Sequence, residues 1–167
     1  MKSLFRFLRG CITGHKGYYQ LTPCSQPVLD GVESTGLYLH IPFCTSFCPY
    51  CPYHKVAYDA DAEKRYCRSL EKEIALLGRD LPKTFRSSSL YVGGGTPTLC
   101  MDTLEHILPR MRDTLHLDGD LCIETGPNAC DDRTIERLHR LHVNMVSIGV
   151  QSFQPSLLQY LGRNTST

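Results

Sequence analysis

The sequence predicts an α/β fold built on a parallel sheet, and two patterns indicate it. Short apolar segments, typical of strands buried on both faces, alternate with longer segments whose apolar residues recur every three or four positions. This alternation favours parallel strands joined by right-handed helical crossovers. The sheet is either a barrel or an open sheet, and both place their functional residues at the carboxyl ends of the strands.

The first strand and first helix are predicted between residues 37 and 78. Strand-forming residues occupy 37–41 and stop at Pro42. Asp59 or Asp61 is expected to cap the following helix, and Gly78 is expected to end it. The apolar face of this helix contains Tyr66, Leu70, Ile74 and Leu77.

The second strand is predicted at residues 90–92, and three glycines follow it. Asp102 and Glu105 have the spacing of a capping box and predict the start of a second helix. Pro109 is expected to kink or shorten that helix, because proline lacks an amide hydrogen. The inward residues are predicted to be Leu104, Ile107, Leu108, Met111 and Leu115.

Two further strand–helix pairs are predicted. A third strand at residues 121–124 precedes a helix that begins at about Asp131. A fourth strand at residues 145–150 leads through a turn at 151–155 into a last helix around Leu157, Leu158 and Leu161. The third helix is expected to turn Ile135, Leu138, Leu141 and His142 inward.

Polar, glycine-rich or metal-binding residues follow all four predicted strands. They are a cysteine loop at residues 44–51, a glycine turn at 93–98, Glu124 and Gln151. Because parallel strands end at the same edge of a sheet, we expect these groups to converge on one site.

Composition excludes several classes of protein. The 167 residues are 41% hydrophobic and 21% charged, which is globular and excludes disordered, collagen-like and coiled-coil chains. Lys and Arg number 18 and Asp and Glu 17, so the net charge of +1 excludes an electrostatically driven nucleic-acid binder, though not a local basic patch. No apolar run approaches the roughly 20 residues that span a bilayer.

The cysteine pattern predicts a reducing, cytoplasmic location. Three of nine cysteines lie within residues 44–51, and the others stand singly, as Cys122 does between apolar neighbours, which is typical of small core residues. Arg6 and Arg9 interrupt the first apolar residues and argue against a secretory signal. The first 16 residues are basic and lack acids, so a mitochondrial presequence remains an alternative interpretation of this segment.

Spacing alone leaves the chemistry of the cysteine loop open. Cys44, Cys48 and Cys51 offer three thiolates, which suit a [4Fe–4S] cluster with one iron left without a protein ligand. A structural zinc needs four ligands, and His54 or a distant cysteine would complete it. The third alternative is a loop without metal.

Four segments together resemble the radical S-adenosylmethionine (SAM) enzymes. Residues 38–51 read YLHIPFCTSFCPYC, residues 91–98 read YVGGGTPT, 147–153 read SIGVQSF and 161–163 read LGR. More narrowly, they resemble the oxygen-independent coproporphyrinogen-III dehydrogenase (oxidase) family and its heme-chaperone relatives. The resemblance implies a partial TIM barrel with about the first four β/α units in residues 36–167, after an irregular lead-in over 1–35.

The resemblance also implies a set of site residues. Cys44, Cys48 and Cys51 would hold the [4Fe–4S] cluster, whereas Asn128 and His40 are expected to be structural. No residue is assigned as catalytic in its own right. Contacts to one or two SAM molecules, the second through Gln151 and Arg163, are implied for Tyr38, Tyr50, Gly93, Gly94, Gly95, Thr96, Glu124, Gln151 and Arg163.

The implied function is reductive cleavage of SAM to a 5′-deoxyadenosyl radical in porphyrin and heme biosynthesis. Flavodoxin or ferredoxin would supply the electron, and the substrate would be a tetrapyrrole, with no nucleic acid and no membrane span. Tyr53 occupies the position at which the dehydrogenases have another cysteine. This difference favours a heme chaperone over a dehydrogenase. A radical SAM methyltransferase, a heme-degrading relative and a structural zinc protein are the remaining alternatives.

The number of units predicts an incomplete domain. A family barrel needs about six strand–helix units, and an eight-unit barrel takes roughly 250 residues. About four units are present, so the chain is expected to be an N-terminal fragment, a truncated product or half of a split protein. By itself it is expected to lack turnover.

Overall fold

The computed structural model describes residues 32–163, in which four strands form a parallel sheet with helices between them. The predicted lead-in over residues 1–35 lies almost wholly outside this range. In chain order the strands are β1 (Ser34–Ile41), β2 (Phe43–Cys44), β3 (Val56–Ala57), β4 (Arg86–Gly94), β5 (Leu117–Thr125) and β6 (Met145–Ile148). The helices are α1 (Ala60–Asp80), α2 (Met101–Thr114), α3 (Asp132–Arg140) and α4 (Pro155–Tyr160).

The main sheet has the strand order β1-β4-β5-β6, and all three pairings are parallel. Each strand therefore pairs with the next large strand of the chain, without the reversal of order that marks a doubly wound open sheet. Consecutive order is the arrangement of a barrel wall. The predicted α/β class is confirmed, and the fold is a partial TIM barrel.

The two faces of the sheet have different environments. Leu39, Val92 and Ile123 lie on the face covered by α1 and α2, and each is at most 5% exposed. Tyr38 and Tyr91, which alternate with them along the strands, are exposed on the opposite face. The predicted inward residues of α2 are confirmed, because Leu104, Ile107, Leu108, Met111 and Leu115 are all buried.

Helix α1 is capped as predicted but ends later than predicted. The Asp59 side chain accepts a hydrogen bond of 2.7 Å from the Ala62 amide. Gly78 lies inside the helix, so its predicted role as a stop is wrong. A Cβ at Gly78 would stand 2.2 Å from Cγ2 of Thr114, so the glycine allows α1 and α2 to approach closely.

The predicted capping box of α2 is also wrong. The helix begins at Met101 without a side-chain cap, and it continues through Pro109. The Asp102 and Glu105 carboxylates instead accept hydrogen bonds from the Arg137 guanidinium of α3. The acidic pair therefore joins two helices, a role that helix-end spacing cannot reveal.

Helix α3 has a narrower buried face than predicted. Asp131 caps it through the Thr134 amide at 2.8 Å, and Leu138 is buried as expected. Ile135 is 51% exposed, so the predicted inward position of this residue is wrong. His142 is exposed in the turn after the helix with φ of 57°, so it does not continue the helical face.

All seven cysteines in the described part of the chain are free thiols. Cys100 and Cys122 are buried, and Cys67 and Cys130 are partly buried, in agreement with the predicted packing role. The other two cysteines lie outside the described residues. None of the described helices is long and apolar enough to cross a membrane.

A buried carboxylate ties the segment after the cysteine loop to the helices. Glu63 of α1 is 9% exposed, and its two oxygens accept hydrogen bonds from the Tyr58 hydroxyl at 2.9 Å and the Thr103 hydroxyl at 2.8 Å. The hydrogen bond to Glu63 raises the pKa of the Tyr58 phenol to about 12. Tyr58 in turn donates its amide to the Cys44 carbonyl at 2.9 Å.

Replacing Glu63 with alanine is expected to lower the free energy of unfolding by about 3 kcal/mol. The substitution removes two hydrogen bonds to a charged group and leaves the buried Thr103 hydroxyl without its acceptor. Urea denaturation followed by circular dichroism measures the loss. Glu73→Ala, at an exposed position of the same helix, is the control and should change stability by less than about 0.5 kcal/mol. Equal stability of the two variants would contradict this account of Glu63.

Candidate functional site

A cavity of about 490 Å³ lies at the carboxyl ends of the sheet strands. The four groups that follow the predicted strands all contribute to its wall, so their expected convergence is confirmed. Tyr38 and Gly93 are absent from the lining residues, although the Tyr38 hydroxyl lies 3.1 Å from the point where a Cβ of Gly93 would stand. The predicted site residues that line the cavity are Cys44, Cys48, Tyr50, Cys51, Gly94, Gly95, Thr96, Glu124, Gln151 and Arg163.

The cysteine loop is closed at its base by a short parallel pairing of β2 with β3. The Val56 amide donates to the Pro42 carbonyl at 2.8 Å, and the Tyr58 amide donates to the Cys44 carbonyl at 2.9 Å. Inside the loop, the Cys51 amide donates to the Cys48 carbonyl at 3.1 Å. The three thiols therefore lie on one compact loop whose two ends meet.

The glycine turn packs directly against this loop. The Gly95 amide donates to the Ile41 carbonyl and the Thr96 amide to the Phe43 carbonyl, both at 2.8 Å. A Cβ at Gly95 would stand 2.5 Å from the Phe43 carbonyl oxygen and 2.8 Å from Sγ of Cys44. Gly94 has a φ of +122°, which side-chain-bearing residues rarely adopt. Glycine is required here for close approach between two chain segments.

The amides of the glycine turn are used within the protein. Gly95 and Thr96 donate to backbone carbonyls, and the Gly94 amide donates to Oε2 of Glu124 at 3.2 Å. An anion-binding turn needs amides that point toward the ligand. These three amides instead hold the loop and the Glu124 carboxylate in place.

Three thiols on the wall of one cavity are a donor set of the kind that holds an iron–sulfur cluster. Burial raises the pKa of the Cys44 thiol, the Thr96 hydroxyl opposes this, and the nearby Cys51 and Cys48 raise it further. Among residues 32–163, no three His, Cys, Asp or Glu side chains converge on one ion. His54, the proposed fourth zinc ligand, is absent from the lining residues.

Glu124 is held by two donors on the exposed face of the sheet. The Tyr91 hydroxyl donates to Oε1 at 2.7 Å, and the Gly94 amide donates to Oε2. The Tyr91 ring stacks on Tyr38, with centroids 6.1 Å apart and an interplanar angle of 16°. The Tyr38 hydroxyl lies 3.1 Å from Nδ1 of His40, whose Nε2 lies 3.0 Å from the His54 carbonyl oxygen.

Tyr91 is the residue of this group that sequence reasoning missed. The sequence places Tyr91 in the second predicted strand and at the start of the glycine motif, but assigns it no role in the site. The signal in the sequence is the alternation of side chains along a strand. Tyr91 faces away from the side of Val92, and Glu124 faces away from the side of Ile123. Side chains with the same parity on neighbouring strands share one face.

Arg163 and Tyr50 lie beside Cys48. The Arg163 guanidinium donates from Nη1 to the Cys48 sulfur at 3.6 Å and from Nη2 to the Gly149 carbonyl. Its buried Nε has no hydrogen-bond partner within the described residues. Burial and a hydrogen bond with Cys48 raise the pKa of the Tyr50 phenol. Gln151 follows β6 with a φ of +68°.

The Tyr91–Glu124 contact predicts a measurable titration. The hydrogen bond to Glu124 raises the pKa of the Tyr91 phenol to about 12, so the phenol stays protonated through pH 10. Replacing Glu124 with glutamine removes the negative charge, and the Tyr91 pKa should fall toward 10. ¹³C NMR of labelled tyrosine Cζ measures this, and Tyr91→Phe identifies the resonance. An unchanged titration in Glu124→Gln would show that this contact does not set the pKa.

Comparison with known proteins agrees with the geometry. The model of the Radical SAM superfamily matches residues 38–167. An oxygen-independent coproporphyrinogen III oxidase of Cereibacter sphaeroides is 38% identical over 137 residues, which cover 80% of this chain and 30% of the relative. The heme chaperone HemW of Lactococcus lactis is 34% identical over 129 residues, covering 75% of this chain and 33% of the relative.

A solved structure shares the fold. The coproporphyrinogen III oxidase HemN from Escherichia coli, described as a radical SAM enzyme, superposes with a TM-score of 0.73 at 27% identity. The match covers 80% of this chain and 31% of that chain. The chain thus spans about a third of the length of the curated relatives it matches. It belongs to the radical SAM superfamily, and its similarity to coproporphyrinogen III oxidases and HemW chaperones is the one that its motifs predicted.

Proposed function

We propose that this chain is the cofactor-binding part of a radical SAM oxidoreductase related to coproporphyrinogen III oxidase. The observation that carries the proposal is the single cavity shared by the three loop thiols, the glycine turn and Glu124. Family membership supports the chemistry, because the superfamily takes its name from SAM. Together they favour a [4Fe–4S] cluster and SAM as the resident cofactors.

In this proposal each group of residues has a separate task. Cys44, Cys48 and Cys51 hold the cluster, and the predicted SAM contacts among the other lining residues bind and orient SAM. When both cofactors are bound, they supply reductive cleavage of SAM to methionine and a 5′-deoxyadenosyl radical. The protein provides binding, orientation and exclusion of competing reactions.

Glu124 is the proposed ligand of the SAM ribose. Each carboxylate oxygen has two acceptor sites, and the hydrogen bonds from Tyr91 and Gly94 use one on each oxygen. One acceptor site per oxygen is left for the ribose hydroxyls. The two internal donors fix the carboxylate before the ligand arrives, which lowers the entropy cost of binding.

The remaining proposed SAM contacts surround the cysteine loop. Arg163 and Tyr50 lie beside Cys48, where a cation and an aromatic ring can face the methionine and nucleoside parts of SAM. Gln151 lines the same cavity, and its amide both donates and accepts hydrogen bonds. Gly94, Gly95 and Thr96 also line the cavity, whereas Tyr38 and Gly93 lie beside Glu124 without lining it.

The proposed activity of the whole protein extends beyond this chain. Relatives of about three times its length are named coproporphyrinogen III oxidase, so a tetrapyrrole is the proposed substrate class. Flavodoxin or ferredoxin is the proposed electron donor, and the cytoplasm is the proposed location. These assignments apply to a protein that contains the segments this chain lacks relative to its relatives.

A heme chaperone is the second candidate, and Tyr53 favours it. Tyr53 lines the cavity at the position where the dehydrogenases have an additional cysteine. The similarity to HemW chaperones agrees with this alternative. Stoichiometric heme binding without decarboxylation of coproporphyrinogen III would select the chaperone, and decarboxylation would select the oxidase.

The cluster assignment predicts the effect of cysteine substitutions. After anaerobic reconstitution with iron and sulfide, the chain should bind both and show the broad absorption of a [4Fe–4S] cluster. Cys44→Ser, Cys48→Ser and Cys51→Ser should each abolish bound iron, because each thiolate is proposed to hold a separate iron. Cys67→Ser, on α1 and outside the cavity, should keep the iron. Iron retained by all three loop variants, or zinc bound in its place, would refute the assignment.

The Glu124 assignment predicts a loss of SAM affinity. Glu124→Gln should raise the dissociation constant of SAM about tenfold, the effect of about 1.4 kcal/mol from a weakened charge-assisted hydrogen bond. Isothermal titration of the anaerobic holoprotein measures it, and bound iron should stay unchanged. Glu136→Gln, an exposed position of α3, is the matched control. Equal SAM affinity in both variants would remove Glu124 from the binding site.

A further inference from the structure

Lys55 is a cation of the cysteine loop to which neither the motifs nor the proposed function assigns a task. It is the single Lys or Arg between residues 44 and 58. Its Nζ donates a hydrogen bond of 2.7 Å to the Cys51 carbonyl and lies 6.0 Å from the centroid of the Phe47 ring. Lys55 also lines the cavity. The charge is therefore directed inward, against the loop that carries the thiols.

The Lys55 ammonium is held from two directions. The following residue, Val56, pairs with Phe43 in the short β2–β3 sheet, which fixes the backbone. The Cys51 carbonyl holds the far end of the side chain, which is partly buried. A cation that is fixed and partly desolvated acts more strongly on its neighbours than one on a free surface side chain.

The Lys55 ammonium lies against the backbone of Cys51, the third cysteine of the loop. Arg163 lies on another side of the loop, at Cys48. The two cations therefore face different cysteines, and Lys55 is the one supplied by the loop itself.

We propose that Lys55 sets the reduction potential of the bound cluster by holding a fixed positive charge against the cysteine loop. The inference rests on the proposed function, since it requires the cluster. Reduction adds one electron and makes the cluster with its three thiolates more negative. A nearby cation stabilises this reduced state more than the oxidised state, so it raises the potential. Lys55 acts as a tuning residue and does not take part in bond making.

Three variants of the reconstituted holoprotein test the proposal by redox titration followed with electron paramagnetic resonance. Lys55→Gln keeps a hydrogen-bond donor without the charge, and its midpoint potential should shift to a more negative value. Lys55→Arg keeps the charge, and its midpoint should stay near that of the unchanged protein. Lys64→Gln removes an exposed cation of α1 whose partner is Asp61, and it should cause no shift.

The outcomes separate this inference from the proposed function. If the unchanged protein assembles no cluster, the proposed function and the inference both fail. If all variants assemble the cluster with equal midpoints, Lys55 has no tuning role while the proposed function stands. A midpoint of Lys55→Gln that moves to a more positive value, or a midpoint of Lys55→Arg that shifts as far as that of Lys55→Gln, would also overturn the tuning role. Loss of the cluster in both variants while both remain folded would overturn the role of charge.

Discussion

The close approach of the glycine turn to the cysteine loop is the constraint on which the site depends. Gly95 leaves no space for a side chain, because the Phe43 carbonyl and the Cys44 sulfur already occupy it. Hydrogen bonds from the Gly95 and Thr96 amides then bind the turn to the end of β1 and to β2. This contact sets the position of the first cysteine relative to the sheet. Through the Gly94 amide it also sets the position of Glu124.

The parallel sheet turns a simple alternation of residues into two functional layers. Alternate residues of each strand pack against α1 and α2 and form the hydrophobic core. The residues between them lie on the opposite, exposed face, where Tyr38, Tyr91 and Glu124 come together. The barrel-like strand order brings the carboxyl ends of all four strands to one cavity. The same backbone therefore supplies stability on one face and ligand-directed groups on the other.

The cysteine loop is anchored outside the cavity as well as inside it. The Glu63 carboxylate receives the Tyr58 and Thr103 hydroxyls and thereby joins the exit of the loop to α1 and α2. Inside the cavity, the Lys55 ammonium donates a hydrogen bond to the Cys51 carbonyl, and the Arg163 guanidinium donates one to the Cys48 sulfur. Three thiols near one another repel when they ionise, and these cations oppose that repulsion. Packing and electrostatics thus act on the same short segment from different sides.

The order of strands and helices, the parallel sheet, the cysteine loop and the convergence of the strand ends could all be predicted from the amino-acid sequence. These features depend on local periodicity, on motif spacing and on a geometric rule for parallel strands. The assigned roles of the site residues remain predictions. Only the tertiary structure showed that Gly78 lies within a helix contact, that Asp102 and Glu105 bind Arg137, and that Ile135 and His142 are exposed. It also revealed the Tyr91 hydrogen bond to Glu124 and the inward ammonium of Lys55. Most of these contacts join residues far apart in the chain, and a local pattern carries no information about which distant side chain will lie opposite.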